Sequence, residues 1–428
     1  MHLIGVFVAH SERNAVINPR SVVSLISRLR NARGQADPYP IIKEIREMGE
    51  VVPAPWGAQL FTSYELCDKV LRDHKSWRAL DDQWRTRRAD GRWGAPSATE
   101  LSTVLQGLNP PEHTRARRSV GNIFDRRTLE KLRTPIAATV EELLDNLEER
   151  IREEGEADFS VLVSEELTIA AMGHWLGIPR ADYALVRSLS HAHIYAQELL
   201  PTPSQLATAN VGMLGMREYF TNLVKDRREN PGDDVISGWI RTWDELEPDR
   251  ESADHHVYLL VMFIVGAALE TTSTLLSNLV WTLDQHPDQR AWLLENPHEV
   301  PRAVEEVLRF DPPVHVTTRA AARDTVVAGV PIARDEIVHT LIASANRDPD
   351  RNTDPDTFDI RREGGHLSHL AFGGGIHYCI GAGMARMEAQ LLLSAVIRRF
   401  PTLRVSAQPQ WEPRVAFRHY TALPVTTG

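Results

Sequence analysis

Residues 372–383 read Phe-Gly-Gly-Gly-Ile-His-Tyr-Cys-Ile-Gly-Ala-Gly and surround Cys379, one of only two cysteines in the chain. Three successive glycines open backbone conformations closed to other residues and let the main chain lie close against something flat or bulky. A cysteine held there presents its sulfur to a ligand. The following residues, 382–399, have helix-forming composition, with Leu391, Leu392, Ala395 and Val396 in one apolar stripe. Cys379 therefore stands at a helix start, where exposed amides and the dipole lower a thiol's pKa and point to a thiolate. Three other readings compete. A free cysteine is commonly a buried apolar residue, although the glycines argue against that here. A dinucleotide-binding loop needs a third glycine where Tyr378 stands. A cysteine hydrolase needs a histidine base, and His377 is only two residues away in the same loop, which seldom gives the required geometry.

A second candidate group interrupts an apolar run. Residues 257–269 are apolar, and the chain then gives Glu270, Thr271, Thr272, Ser273 and Thr274 before returning to Leu275 and Leu276. A helix that is apolar all round lies in the core of a large domain, so Glu270 sits where charge is costly unless paired. It is either a buried acid satisfied by an arginine, or half of an acid–alcohol pair with Thr271 that relays protons beside a bound ligand. Ala267 and Ala268 leave room for that ligand, and Thr271 can hydrogen-bond back to the carbonyl of Ala267 and bend the helix open.

Basic residues form a third group. His113 and Arg117 stand at i, i+4 in a helix opened by Pro110 and Pro111, and they point the same way. Arg319 shares a strand face with His315 and Thr317. Guanidinium forks with a histidine clamp a carboxylate well; the alternative is plain surface charge. Glu306 and Arg309, at i, i+3, can pair. The same spacing recurs at Glu112/Arg115, Glu130/Arg133, Glu149/Arg152, Glu247/Arg250 and Glu299/Arg302, so only context singles one out.

The elements that must position these groups are mostly helical. Periodicity predicts helices over residues 40–48, 64–72, 111–124, 127–154, 164–176, 213–228, 254–286 and 300–310. Strand-like runs are short: 51–53 and 58–62 around a hairpin turn at Trp56 and Gly57, then 314–321, 325–328, 337–342, 403–406 and 415–419. The expected class is mainly α with small β-sheets, in a single domain, with residues 1–35 an N-terminal tail. The aperiodic 79–96 stretch, rich in arginine and tryptophan, reads as a surface loop. Pro201 and Pro203 interrupt two helices, and 225–234 is a solvated helix end.

A chain of 428 residues with 42% hydrophobic and 25% charged residues can bury a large core. A net charge of −10 argues against a nucleic-acid partner. Two cysteines make no disulfide framework, so a reducing cytoplasm is the natural compartment. The apolar start lacks the basic residues of a signal peptide, and no run reaches the roughly 18 to 20 apolar residues that cross a bilayer. A protein free of the membrane is expected.

In this order and spacing the residues resemble a soluble bacterial cytochrome P450 over nearly the whole chain. The loop from Phe372 to Gly381 matches that family's haem-binding signature closely. Ala267-Ala-Leu-Glu-Thr-Thr272 resembles its oxygen-activating helix, Glu306-Val-Leu-Arg309 its core ion pair, and Ala345-Asn-Arg-Asp-Pro349 a stretch common in bacterial members. The resemblance implies the P450 fold and haem b, with Cys379 as axial thiolate whose electron donation favours O–O cleavage. It makes His113, Arg117, Arg319 and His377 partners of the haem propionates, and Glu270 and Thr271 the proton-delivering acid and alcohol. It implies a monomeric monooxygenase that uses O2 and a ferredoxin-type electron donor, with Arg115 and Arg118 candidates for meeting it. The substrate would be a bulky secondary metabolite, hydroxylated, epoxidised or oxidatively coupled. Its pocket would be lined by the loop from Trp84 to Trp93, the Leu200 break, residues 263–271 and 314–316, and the turn at Phe417. The alternative is a haem-thiolate protein that binds ligand or a partner without turnover. Two positions depart from the family pattern: Ala268 stands where glycine is usual, and Thr357 where an arginine usually joins Glu306 and Arg309. Arg361 or Arg362 is the candidate replacement.

Overall fold

The computed structural model describes residues 19–88, 91–121, 124–362 and 368–427. Its organising element is the helix Arg250–Gln285, 36 residues long, whose first turn is capped by the Asp249 carboxylate accepting from the Ser252 amide at 2.9 Å. The helices Pro203–Glu229, Val235–Leu246, Glu166–Leu176, Tyr183–His193, Val300–Phe310 and Ala382–Arg399 all pack against it. Nearly every side chain from Val257 to Leu283 is buried as a result. The helix also meets the length and mean hydropathy, 1.9, of a membrane span, contrary to the expectation that no segment would. Its apolar window is 78% buried against neighbouring helices, so protein rather than lipid covers it.

Beside this helical mass lies a five-stranded sheet in the order Val51–Ala54, Ala58–Phe61, Ile337–Leu341, Val316–Ala321, Trp77–Arg78. The first two strands form the expected hairpin, with Val51 opposite Phe61. Ala58–Phe61 and Ile337–Leu341 run parallel, with Ala58 opposite Ile337, and the other pairs are antiparallel. Three smaller sheets of two or three strands complete the β content. The class is mainly α with small sheets, as expected.

Several expectations need correction. Residues 19–35, placed in an N-terminal tail, lie in helices Pro19–Arg30 and Ala32–Ala36 and the turn between them. Val22, Ile26 and Leu29 are buried with Ile41, Ile45, Val52 and Leu60, because an amphipathic helix with one apolar stripe docks where the hairpin leaves an apolar face. The rest of the expected tail, residues 1–18, lies outside the described residues. The 79–96 stretch is not simply a surface loop: Asp81 caps a helix Asp82–Arg87, and Trp84 is buried edge-on to Trp93 at 4.9 Å. Residues 415–419 are not a strand. The Glu198 carboxylate accepts from the amides of Val415 and Ala416 at 3.1–3.3 Å, so a side chain takes the hydrogen bonds a strand would need. The helices Tyr183–His193, Val235–Leu246 and Pro287–Glu295 went unforeseen.

Candidate active site

The Cys379 loop is shaped by backbone contacts. The Gly373 amide donates to Leu370 O at 2.8 Å, the Cys379 amide to Phe372 O at 2.9 Å, and the Tyr378 amide to Gly375 O at 3.1 Å. Gly375 has φ +64°, and a Cβ there would lie 2.5 Å from Leu71 O and 2.8 Å from Arg72 Cα. The loop is thus pressed against the end of helix Tyr64–Arg72, and only glycine fits both the conformation and the space. Gly375→Ala should cost about 1–3 kcal/mol in denaturant unfolding, with the loop displaced from Leu71.

The two cysteines have opposite surroundings. Cys67 is buried, its thiol donating to Phe61 O at 3.2 Å, and burial pushes its pKa far up. Cys379 is accessible. Burial among surrounding protein atoms still raises its pKa, against the opposing pull of the Gly381 and Ala382 amides and of Arg117 and Arg386. The helix-start amides act in the direction read from the sequence, but desolvation outweighs them. The helix-start amides and the two guanidiniums thus favour the thiolate, and burial opposes it.

Around this sulfur the fold gathers positive charge. The rings of His113 and His377 meet edge to face with centroids 4.5 Å apart. Arg117 donates from Nη2 to the Tyr378 carbonyl at 3.1 Å, and Arg319 from Nη1 to the Thr318 carbonyl at 2.8 Å. Among the described residues neither guanidinium has a carboxylate partner. Burial lowers Arg319 to about 10. Burial and the neighbouring cations lower His113 to about 4 and His377 to about 2. Among the described residues the Nε2 atom of buried His113 has no hydrogen-bond partner. Two half-buried guanidiniums and an orphaned ring nitrogen suit a ligand that carries carboxylates. All four residues named from the sequence come together here. His315 does not join: it lies ahead of the strand and turns to Asp311, 3.6 Å away.

On the long helix, Phe263, Ala267, Ala268 and Thr271 are half-buried among buried neighbours, a stripe at i, i+4, i+5, i+8 that leaves one face open. The Thr271 hydroxyl donates to Ala267 O at 2.8 Å, as its position suggested. Glu270 is buried on another face, its Oε1 bonded to the Arg414 guanidinium and 3.2 Å from His419 Nδ1, its Oε2 3.6 Å from His191 Nε2. Burial would raise its pKa, but His419, Arg414 and His191 together hold it below the usual range. The acid and the alcohol are thus neighbours in sequence with different surroundings. Arg414, His419 and His191 come from segments far from Glu270 in the chain, and no local signal marked them.

Of the six Glu-x-x-Arg pairs, Glu306 and Arg309 alone have both side chains wholly buried. They form a bidentate ion pair at 2.7 and 2.8 Å. Arg309 also donates to the carbonyls of Asn346, Pro355 and Thr357 at 2.8–3.2 Å. Pairs such as Glu130/Arg133 and Glu149/Arg152 are exposed. The third member of the buried network is Arg362, 3.4 Å from Glu306, which also donates to the Thr357 carbonyl at 2.7 Å. Arg361 instead faces Asp359.

The family model described as "Cytochrome P450" matches residues 215–418. The chain is 33% identical to cytochrome P450 monooxygenase PikC of Streptomyces venezuelae over 405 residues, covering 91% of each chain. It is 30% identical to polyketide biosynthesis cytochrome P450 PksS of Bacillus subtilis, covering 90% of this chain and 91% of that one. Among solved structures, ligand-free CYP164A2 of Mycobacterium smegmatis superposes with a TM-score of 0.83 at 29% identity, over 94% of this chain and 99% of that one. With this fold, and with relatives matched along nearly their whole length, the chain belongs to the cytochrome P450 family of haem-iron monooxygenases.

Proposed function

We propose that this protein binds haem b through Cys379 and oxidises a bulky secondary metabolite with O2, either inserting one oxygen atom by hydroxylation or epoxidation or coupling two positions oxidatively, with both oxygens leaving as water. The observation that carries this reading is an accessible thiol beside two half-buried guanidiniums with no carboxylate partner among the described residues. In it, Cys379 holds the iron, while His113, Arg117, Arg319 and His377 hold the propionates. Bound there, the haem supplies dioxygen activation, which electron donation from the cysteine sulfur assists. The relatives include one named for polyketide biosynthesis, which supports a secondary-metabolite substrate.

The remaining work falls to the chain's own residues. Phe263, Ala267 and Ala268 offer small or apolar surface to a substrate, and Thr271 positions a hydroxyl among them. Trp84, expected in the pocket wall, is packed in the protein and plays no part in this reading. Thr271→Ala should leave haem content unchanged and divert reducing equivalents to peroxide at the expense of product, as measured by peroxide formed per NADPH oxidised. Unaltered coupling would remove Thr271 from proton delivery.

Electrons come from a ferredoxin-type donor in this proposal, the protein acting as a cytoplasmic monomer. Helix Glu112–Ser119 carries His113 and Arg117, and a surface groove of about 840 Å³ borders it with Arg115, Arg118, Thr242, Glu245 and Leu246. Arg115 is held by Glu247 at 3.1 Å, which leaves Arg118 as the better contact for an acidic donor. Spin-state titration of the purified haem protein against metabolites, followed by turnover with surrogate ferredoxin and reductase, tests the reading. A product heavier by one oxygen, or a coupled product lighter by two hydrogens, supports it, and tight binding without product points instead to a ligand-binding role.

A further inference from the structure

Three segments far apart in the chain bring metal-ligating side chains together against the long helix. Glu165 stands just before helix Glu166–Leu176, His191 lies in the last turn of Tyr183–His193, and His419 ends the 415–419 segment. One ligand atom from each lies within 4.8 Å of those of the other two. The two rings meet edge to face, with centroids 4.7 Å apart, and His419 Nε2 is 3.8 Å from Glu165 Oε1. On the long helix, Glu270 backs both rings: its Oε1 is 3.2 Å from His419 Nδ1 and its Oε2 3.6 Å from His191 Nε2. Its side chain is 1% exposed, and Oε2 has no hydrogen-bond partner among the described residues. A carboxylate oxygen buried in that way calls for a donor or a cation.

We propose that Glu165, His191 and His419 form a binding site for one zinc ion, with Glu270 as the carboxylate that orients both rings. A histidine that ligates a metal through one nitrogen gives the N–H of the other to a carboxylate or carbonyl. His419 has that arrangement, with Nδ1 toward Glu270 and Nε2 toward Glu165. Two imidazole nitrogens and one carboxylate oxygen are a donor set that suits zinc better than magnesium or calcium, which take oxygen ligands. Bonds of about 2.0–2.1 Å at tetrahedral angles put ligand atoms about 3.3 Å apart. The Glu165–His419 pair, at 3.8 Å, is within about 0.5 Å of that spacing. Glu165 and His191 are 11% and 23% exposed, so they can rotate to close the wider separations. Their exposure also supplies an entry path and a water as fourth ligand.

The charge of the surroundings is complementary. Metal ligation takes both rings as neutral imidazoles. Glu165, Glu166, Glu270 and Glu412 then face only Arg187 and Arg414, an excess of two negative charges that one divalent cation balances. The guanidiniums do not fill the site. Arg187 approaches Glu165 through Oε2 at 3.4 Å, which leaves Oε1 toward His419, and Arg414 bonds to Oε1 of Glu270, which leaves Oε2 toward His191. The ion joins three segments that meet only in the folded chain, so it stabilises the native state over the unfolded one.

The test uses the haem-loaded wild type and the variants His191→Gln, His419→Gln, Glu165→Gln and Glu270→Gln, each retaining the carbon monoxide spectrum of the wild type. Each is stripped with chelator and then dialysed to equilibrium against zinc. Bound zinc is counted, and X-ray absorption at the zinc edge, which haem iron does not obscure, reads its ligands. The wild type should hold one tight zinc ion with two histidine nitrogens in its shell, undisplaced by excess magnesium, and zinc should raise its unfolding midpoint. His191→Gln, His419→Gln and Glu165→Gln should lose that ion. Glu270→Gln should keep the same shell with affinity lower by about 10–100-fold. His191→Gln, at the more exposed position, keeps the test decisive if the buried His419 variant does not fold. Equal zinc content in the wild type and the histidine variants, a shell with fewer than two histidines, or no tight ion in the wild type would each overturn the site and leave the cluster an ion-pair network. None of these readouts depends on what is oxidised at the haem.

Discussion

Cys379→Ser is expected to abolish the red-shifted absorption of the reduced carbon monoxide complex and all oxygen insertion, while leaving the apoprotein folded. The change is nearly isosteric. The loop is held by backbone hydrogen bonds from Gly373, Tyr378 and Cys379 that need no side chain. Unfolding of the apoprotein should therefore shift by less than about 0.5 kcal/mol. What is lost is the sulfur: a hydroxyl ionises far less readily than a thiol, and burial already opposes ionisation at this position. Cys67→Ser provides the contrast. Its thiol is buried away from the site and bonded to Phe61 O, so the absorption band should survive and only stability should fall. A Cys379→Ser protein that kept the band unchanged would refute the ligand assignment.

Arg309→Leu is the second large effect, and it acts on stability. The guanidinium satisfies both oxygens of Glu306 and the carbonyls of Asn346, Pro355 and Thr357 in a site closed to water. Removing one partner of a buried pair strands the other charge, which costs about 3–5 kcal/mol. Arg362 lies 3.4 Å from Glu306 and softens the loss, so Arg309→Leu combined with Arg362→Leu should be worse than the sum of the two. The measurement is the denaturant midpoint of the apoprotein, together with haem retained after purification. Disrupting the exposed Glu130/Arg133 pair, which has the same spacing, should leave both unchanged. Equal sensitivity of the two pairs would mean that burial is not what distinguishes them.

Most of the secondary structure was legible because long helices write their period into the sequence. Tyr64–Arg72 and Val300–Phe310 appear with the expected bounds, and Arg250–Gln285 was marked by its apolar run. The unforeseen helices have other causes. Tyr183–His193 carries histidines, serines and an arginine along with its apolar residues, and they weaken its period. Pro203–Glu229 begins ten residues before the expected start, because the Thr202 and Gln205 capping box makes the proline-rich break its first turn.

Contiguous residues were enough to mark the glycine-lined Cys379 loop, the Glu270-Thr271 pair in the long helix and the family resemblance. Each is a contiguous pattern whose spacing is set by local backbone geometry. Tertiary structure alone decided three matters. It selected Glu306/Arg309 from six identical spacings by burying both side chains, and it chose Arg362 over Arg361 as their third member. It turned His315 away from Arg319 and toward Asp311. It also set Glu270 against Arg414, His419 and His191, reversing the rise in pKa that burial alone would give. Burial and charge pairing are properties of groups brought together from distant parts of the chain. Their energies depend on separation in space, which spacing along the chain does not encode.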